Sequence, residues 1–485
     1  MTDTAGKTTG WQYTTADGDN VETYNAAGLL IAIANRNGMT QTLSYSGNLL
    51  TRVTDNGGRQ LNFTYDAKGR IHTVTDPAGG AITYTYDTYY DQFLSTVTYQ
   101  DGKVRRYVYN ETGYHGSLTG IVDENGARFA TFGYDGNGKA VSTEHAGGVE
   151  KYSVITDTGN KLGTVTDPLG AIHTYNFQVI LGVLKSTGQT RSAGSGSTAA
   201  TTVLTYDANG NVASYTDFNG AVTTFSYDLI RNLETSRVEA SGTPQARTIS
   251  TQWHPSFSLP LKLAEPKRVT SYSYDASGNL LSKTEQATSD ATGAQGLAPT
   301  VTGSARSWSY SYNNVGQLLT AIGPRTDVAD KTTYAYDSNG NLSTISNAVG
   351  QVTSLSNYDA NGRVGLIADA NGVTTTLTYS PRGWLTGKTV TANGMTESTS
   401  YSYDGVGQLT QVTLPNASTV SYSYDPAHRL IKIADSVGNS IVYTLDNMGN
   451  RLSEQVKDPS GALARQTSRV IDALNRLQQI TGAVQ

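Results

Sequence analysis

A tyrosine–aspartate pair with a glycine three residues further on recurs along this chain about every 21 residues, and no other feature limits the fold as strongly. Clear copies are Tyr65-Asp66-Ala67-Lys68-Gly69, Tyr206-Asp207-Ala208-Asn209-Gly210, Tyr274-Asp275-Ala276-Ser277-Gly278, Tyr336-Asp337-Ser338-Asn339-Gly340 and Tyr358-Asp359-Ala360-Asn361-Gly362. The same tyrosine position is filled by Tyr24, Tyr45, Tyr86, Tyr109 and Tyr134 early in the chain, and by Tyr227, Tyr312, Tyr379, Tyr403 and Tyr424 later. A fixed period of this length means stacked supersecondary units, each needing its neighbours to bury a face. Length alone, 485 residues, would suggest about three ordinary domains, and the repeat overrides that expectation.

Each unit reads as two antiparallel strands and two turns. Ala81-Ile82-Thr83-Tyr84-Thr85-Tyr86 alternates with period two and is rich in β-branched and aromatic residues, a strand signal. The aspartate can bond backbone two residues on, and the glycine takes the positive φ that closes a hairpin. A second strand follows, as in Arg70-Ile71-His72-Thr73-Val74-Thr75, and a second turn such as Asp76-Pro77-Ala78-Gly79 ends the unit. A weak helical period shows only at 468–479. The fold class expected is all-β: an array of antiparallel hairpins forming a curved ribbon or spiral, a partial hollow shell. About 20 such units at roughly 4.8 Å per strand would make a ribbon on the order of 190 Å long, which strand twist must coil.

Composition fits a thin sheet. The chain has 31 Tyr against 8 Phe and 4 Trp, and a hydrophobic fraction of 37%. Tyrosine suits faces that are apolar at the ring and wet at the hydroxyl. Many units pair tyrosines two apart, including Tyr334/Tyr336 and Tyr401/Tyr403, and period two sets both on one face of the sheet. Such a stripe either stiffens the sheet or offers a surface to sugar or peptide. Tyr334, Tyr336, Tyr401, Tyr403, Trp253 and Trp384 are the candidate binding residues.

The period lapses twice. We expect repeats over 1–185, a linker-like loop over 186–202, repeats with a Trp/Pro interruption over 203–283, a polar insertion over 284–306, and repeats with a degenerate end over 307–485. The interruption, Trp253-His254-Pro255-Ser256-Phe257-Ser258-Leu259-Pro260, matches no repeat position.

A net charge of −5 argues against a nucleic-acid partner. With no cysteine, disulfides and thiol chemistry are excluded. The longest apolar run, 177–184, is far too short to span a bilayer, and no membrane insertion is expected. No signal peptide opens the chain. The six histidines form no His-Glu-x-x-His pair, and no phosphate loop or nucleophile elbow is present. Asp207-x-Asn209-x-Asn211 and Asp337-x-Asn339-x-Asn341 mimic the start of a calcium loop. Gly210 and Gly340 stand at the fourth position rather than the sixth, so turns are expected and no metal or cofactor. Nothing nominates a pair of catalytic carboxylates, and no catalytic residue is assigned.

These units, the Asp-Pro-x-Gly turns and the Trp253…Leu259-Pro260-Leu261 segment together resemble the bacterial Rhs proteins of the YD-repeat family. Teneurin ectodomains and the cocoon components of insecticidal Tc toxins share these repeats. The resemblance runs from about Tyr24 to Leu477 and rests on many copies. It implies a long sheet spiralling into a hollow shell around a C-terminal toxin, in a secreted or cell-surface setting, with polypeptide cargo or a companion Rhs chain as partner. The family's closing core and self-cleavage motif find no match here. The last units decay into Asp446-Asn447-Met448-Gly449 and Asp472-Ala473-Leu474-Asn475, so no cleavage residue is carried over. The expected function is a non-enzymatic shell segment that encloses or presents a polypeptide. The alternative is an extracellular module binding a cell-surface glycan or a receptor.

Overall fold

The computed structural model describes residues 1–2, 4, 7–88, 92–111, 115–157, 159, 161–193, 198–472 and 475–484. Their regular structure is 41 strands and one three-residue 3-10 turn. The chain divides into two compact units. One comprises Met1–Gly80, Thr205–Thr216 and Ala221–Thr375; the other comprises Ala81–Leu204, Asp217–Gly220 and Thr376–Gln485. Inside each unit a strand pairs antiparallel with the next strand in sequence, as in Gln60–Tyr65 with Ile71–Thr75, and Leu94–Thr98 with Val104–Tyr109. No helix is long and apolar enough to cross a membrane among the described residues.

The repeat turn explains the sequence period. The Gly69 N–H donates to the Asp66 carbonyl at 3.0 Å, and the Asp66 N–H to the Arg70 carbonyl at 2.9 Å. Asp66 Oδ1 accepts from the N–H groups of Lys68 and Arg70 at 2.9 and 3.0 Å. Gly69 sits at φ +76°, where a Cβ would meet the following carbonyl, so this is a tight turn closed by a glycine bulge. Beside it the ladder slips: Thr64 faces Thr73, but Tyr65 faces Ile71. The same slip falls at Tyr45, Tyr274, Tyr336, Tyr403 and Tyr424. A bulge of this kind adds local twist at every unit.

The two faces of the sheet differ. In Lys331–Tyr336, Met395–Tyr403 and Thr419–Tyr424 the paired tyrosines are half-buried and the residue between them is exposed. On the exposed face, hydroxyls pair across strands at 2.6 Å: Thr64 with Thr73, Thr85 with Thr96, Ser273 with Ser282. Full burial is rare and often polar: Thr119 and Asp123 are the largest side chains below 2% exposure or close to it, and Val97, Ala130, Ile249, Ala264 and Val269 are small apolar counterparts. A single layer has no thick interior, so cross-strand pairs carry the stability.

Two expectations are revised. The Trp/Pro interruption is a further hairpin: Arg247–Trp253 pairs with Pro260–Glu265, and Trp253 faces Pro260 at the slip that tyrosines occupy elsewhere. His254 stands where the aspartate would be, its Nδ1 accepting from the N–H groups of Ser256 and Phe257. The weak helical period at 468–479 is strand–turn–strand, Leu463–Ile471 against Leu477–Val484. There Asp472 Oδ1 accepts from the Arg476 N–H at 2.8 Å, so turn chemistry overrides the spacing of Val470, Ile471 and Leu477. Strands Val183–Arg191 and Ala200–Tyr206 enter 186–202 from its two ends, and Leu280–Thr288 and Val301–Tyr312 enter 284–306, leaving 289–300 as irregular turns and bends. Residues 194–197, part of the expected linker, and residues 473–474 lie outside the described residues.

Candidate functional site

The anchor tyrosines are latches. Tyr24 donates its hydroxyl to the Glu22 carboxylate, but at most positions the hydroxyl donates to a backbone carbonyl at or next to the start of a strand in the preceding hairpin. Tyr45 reaches Leu30, Tyr65 reaches Leu50, Tyr274 reaches Pro260 and Tyr336 reaches Leu318, at 2.8, 2.8, 2.8 and 3.0 Å. Tyr358 reaches Leu342 at 2.6 Å. In the second unit Tyr109 reaches Leu94, Tyr134 Leu118, Tyr403 Leu385 and Tyr424 Leu409, at 3.0, 2.8, 2.9 and 3.0 Å. Burial pushes the hydroxyls up: Tyr336, Tyr403 and Tyr424 lie above the usual phenol value, and Tyr274 reaches about 12. The hydroxyl of a buried tyrosine needs a partner, and the carbonyl left open by the slip supplies one. The leucine two residues after the turn glycine was the sequence signal for this latch.

The turn carboxylates are equally committed. The Arg70 N–H bond, with the Arg70 guanidinium behind it, holds Asp66 down to about 2. Asp207 Oδ1 accepts from Asn209 and Asn211 N–H, and Asp207 Oδ2 from Asn211 Nδ2. Asp337 is bonded the same way by Asn339 and Asn341. These oxygens, which mimic a calcium loop in sequence, are spent on closing the hairpin. Asp275 with Gly278 and Asp359 with Gly362 repeat the pattern.

Within each unit, turns far apart in sequence dock against one another. In the first unit Asn37 and Asn279 exchange amide bonds at 2.9 and 2.7 Å. Asn361 Nδ2 donates to Asp76 Oδ2 at 3.3 Å, and the Ala78 N–H to Asn361 Oδ1 at 3.2 Å. Gly57 lies so close to the Asn339 carbonyl that a Cβ would stand 2.4 Å from it. This seam is neutral at its main contact and roomy. Cavities of about 430 and 930 Å³ open along it, sharing Arg59, Asp337 and Asn339.

The second unit's seam is ionic and tight. The Glu124 side chain has no exposure; it pairs with Arg105 and Arg382, each at 3.2 Å. Arg382 also donates to the Gly405 carbonyl at 2.6 Å and lies 4.0 and 4.5 Å from the ring centroids of Tyr99 and Trp384. Asn125 Nδ2 donates to Asp404 Oδ2 at 3.0 Å, and the Gly405 N–H to Asn125 Oδ1 at 2.8 Å. Asp123, 2% exposed, meets His428 Nε2 at 2.8 Å. His428 fills the glycine slot of its turn at φ +66° and stacks on Phe129 at 4.3 Å.

Of the candidate binding residues, the structure brings Trp384 and Tyr403 together, ring centroids 5.4 Å apart, at the edge of the ionic seam. Tyr401 is half-buried two residues from Tyr403, and Tyr334 takes the matching place beside Tyr336. Trp253 is separate from these. Its Nε1 donates to the Glu234 carbonyl at 2.8 Å, and it lines a cavity of about 660 Å³ with Arg231, Pro255 and Leu297. His173 is buried between Asp167 and Gln189, while His72 is exposed on its strand. Sequence reasoning missed Asp123, Glu124, Arg382 and His428. Histidine in the glycine slot of Asp425-Pro426-Ala427-His428 was the one local sign.

Repeated Tyr-Asp hairpins, latched in series and docked through their turns, define a YD-repeat shell protein. The chain belongs to the teneurin YD-shell family, whose profile matches residues 2–181 and 296–453; an RHS repeat profile matches residues 206–244. Among solved structures, the TcdB2–TccC3 protein without its hypervariable C-terminal region is 16% identical, with a TM-score of 0.64 over 95% of this chain and 26% of that one. The TcdB2–TccC3–Cdc42 structure gives 15% identity and a TM-score of 0.63 over 94% of this chain and 26% of that one. At this identity the likeness establishes the fold. This chain spans about a quarter of those chains. No curated protein sequence matches it.

Proposed function

We propose that this chain is a shell segment that encloses or presents a polypeptide cargo, acting beside a companion repeat chain in a secreted or cell-surface setting. The observation that carries the reading is the docking of turns separated by 242 to 305 residues, with the buried Asp123–His428 pair as its longest span. A hairpin array that served only as an extended display surface would gain nothing from burying charges at its turn row. The tyrosine latches point the same way, because they commit Tyr336 and Tyr403 to holding neighbouring hairpins together. The neighbouring structures pair TcdB2 with TccC3, and a companion chain is proposed here on that model.

Electron microscopy of the purified chain, with its mass measured in solution, tests the proposal. A hollow particle, of one copy or several, is the expected result. An open ribbon with its tyrosine face accessible would overturn enclosure by this chain. Binding on a surface-glycan array, lost on substitution of Trp253 or Trp384, would then move the function to glycan recognition.

A further inference from the structure

Three asparagines that hold the seams stand directly before a glycine, in the same slot of the repeat turn: Asn37-Gly38, Asn361-Gly362 and Asn125-Gly126. Each spends its Nδ2 as a donor across its seam. In the first unit Asn37 donates to Asn279 Oδ1 at 2.9 Å, and Asn361 to Asp76 Oδ2 at 3.3 Å. In the second, Asn125 donates to Asp404 Oδ2 at 3.0 Å. The partner is an acceptor every time, and in two of these contacts it is a carboxylate. The same turn also occurs without a seam partner. Asn137-Gly138 and Asn371-Gly372 fill the same slot, with both asparagines exposed. Their backbone N–H groups bond Asp135 and Asp369 Oδ1, each at 2.9 Å, and their side chains make no hydrogen bond among the described residues.

An asparagine side chain reacts most readily with its own backbone when glycine follows, because no Cβ hinders the approach. The glycine nitrogen attacks the asparagine Cγ, and the bond from Cγ to Nδ2 breaks. Nδ2 leaves as ammonia, taking the glycine amide proton, and a five-membered succinimide remains. Water then adds to one imide carbonyl and the ring C–N bond opens. The product is aspartate or its isomer, in which the main chain runs through the side chain. Water is the one reactant consumed. The docked turn opposes the first step twice. The N–H groups of Gly38, Gly362 and Gly126 bond the carbonyl three residues back at 3.0, 2.9 and 3.0 Å, and the leaving amide is held across the seam. Gly138 and Gly372 share the first restraint, at 3.0 and 3.1 Å, but the asparagines before them lack the second.

We propose that Asn37, Asn361 and Asn125 are spontaneous deamidation sites that make an opening of their seam permanent. While docked, the side chain is kept from its glycine; once the seam parts, it is free to cyclise. The product cannot dock again, because the donor is gone. At position 125 the new carboxylate would face Asp404 Oδ2, and at 361 it would face Asp76 Oδ2, a like-charge contact in both places. At 37 it would set an oxygen against Asn279 Oδ1.

Peptide mapping by mass spectrometry of the full chain, aged at mildly alkaline pH, follows each site by the mass gained when an amide becomes an acid. Asn137 and Asn371 should convert first, and Asn37, Asn361 and Asn125 more slowly. Asn279→Ala removes the partner of Asn37. It should speed conversion at Asn37 about two- to fivefold, the factor that one pair of neutral amide bonds supplies, and leave Asn125 unchanged. Asn37→Asp, Asn361→Asp and Asn125→Asp install the product directly. Hydrogen exchange should then quicken at 275–280, 76–80 and 404–408 respectively, whereas Asn371→Asp should leave all three segments as they are. Circular dichroism marks which variants fold; if an aspartate variant does not, the conversion rates in the unsubstituted chain and in Asn279→Ala decide. One rate for Asn37 in both of those chains would overturn the proposal, since docking would then not control the reaction. So would a single rate at all five asparagines, or unchanged exchange in folded aspartate variants.

Discussion

The two seams do the same job with opposite chemistry. In the first unit, Asn37 and Asn279 meet through two neutral amide bonds beside open cavities. In the second, Glu124 is fully buried between two arginines and Asp123 is held by a histidine. Both are built from the same turn, and both close by tolerating backbone contact at an extra glycine. A Cβ at Gly57 would stand 2.4 Å from the Asn339 carbonyl, and one at Gly405 2.7 Å from the Glu124 carbonyl. The difference teaches that the repeat fixes the hairpin, while the three residues at a turn's tip are free to set how one turn meets another. A neutral seam can be remade easily. A buried ionic one fails badly when one partner is lost.

The largest expected effect ignores that difference. Asp66 is held at about 2, below its ordinary 3.8, by the Arg70 N–H and guanidinium, and Asp135, Asp275, Asp337, Asp359 and Asp435 are lowered likewise. A depressed carboxylate contributes stability above its unfolded value and loses it as pH falls through the folded one. Both units should therefore lose hydrogen-exchange protection together between about pH 4 and pH 2. Protection lost in the second unit alone would mean that its ionic seam, not the turns, governs acid sensitivity. At the other end, Tyr274 is raised to about 12 from 10.0. Its contribution is whole below about pH 10 and lost as pH climbs through about 12, which absorbance of the phenolate against circular dichroism would follow.

Next comes Arg382→Met, which keeps the side-chain stem against Tyr99 and Trp384 and deletes the charge. Glu124 is left buried with Arg105 as its remaining cation, at a cost of about 2–4 kcal/mol. Urea unfolding should show this, and hydrogen exchange should speed up around residues 99–134 and 404–429 but not around 20–60. Glu124→Gln/Arg382→Met should recover part of the loss. An unchanged urea midpoint in the single variant would show that the pair is exposed in solution and erase the contrast between the seams.

A smaller loss tests whether His428 is tolerated or required. Glycine would relieve its left-handed backbone by about 1 kcal/mol. It would also remove the bond to nearly buried Asp123, worth about 1.5–3 kcal/mol, and the stacking on Phe129. The net for His428→Gly is a destabilisation of about 1–2 kcal/mol by urea titration. A stabilised variant would mean that the strain outweighs the contact.

What the sequence made legible was whatever is local. Asp66 and Gly69 close their own turn, and Tyr334 and Tyr336 share a face by period two, so their spacing was enough. The latch was half visible: the leucine after each turn recurs, but its carbonyl leaves no trace in composition. The seams were hidden because Asp123 and His428 are partners across 305 residues, and periodicity carries no information about which distant turn a given turn will meet. The Trp253 hairpin was misread for a different reason. Tryptophan and histidine replace tyrosine and aspartate there by supplying an N–H donor and a ring nitrogen acceptor, an exchange of function that residue matching does not see.

The smallest effect is at the neutral seam, and it is the sharpest test of the comparison. Asn37→Ala deletes both amide bonds and leaves the Asn279 amide with its other bond, to Asp275 Oδ2 at 2.8 Å. The abandoned groups face a seam with room for water, so they can be rehydrated, and the loss should be about 0.5–1 kcal/mol. Asn37→Ala and Asn279→Ala should couple by about 0.5–1 kcal/mol in a double-mutant cycle, because each removes the same pair of bonds. Exchange should quicken around 275–280 and leave 404–429 untouched. A loss as large as that of Arg382→Met would mean that the first seam is as dry as the second, and that charge is not what separates them.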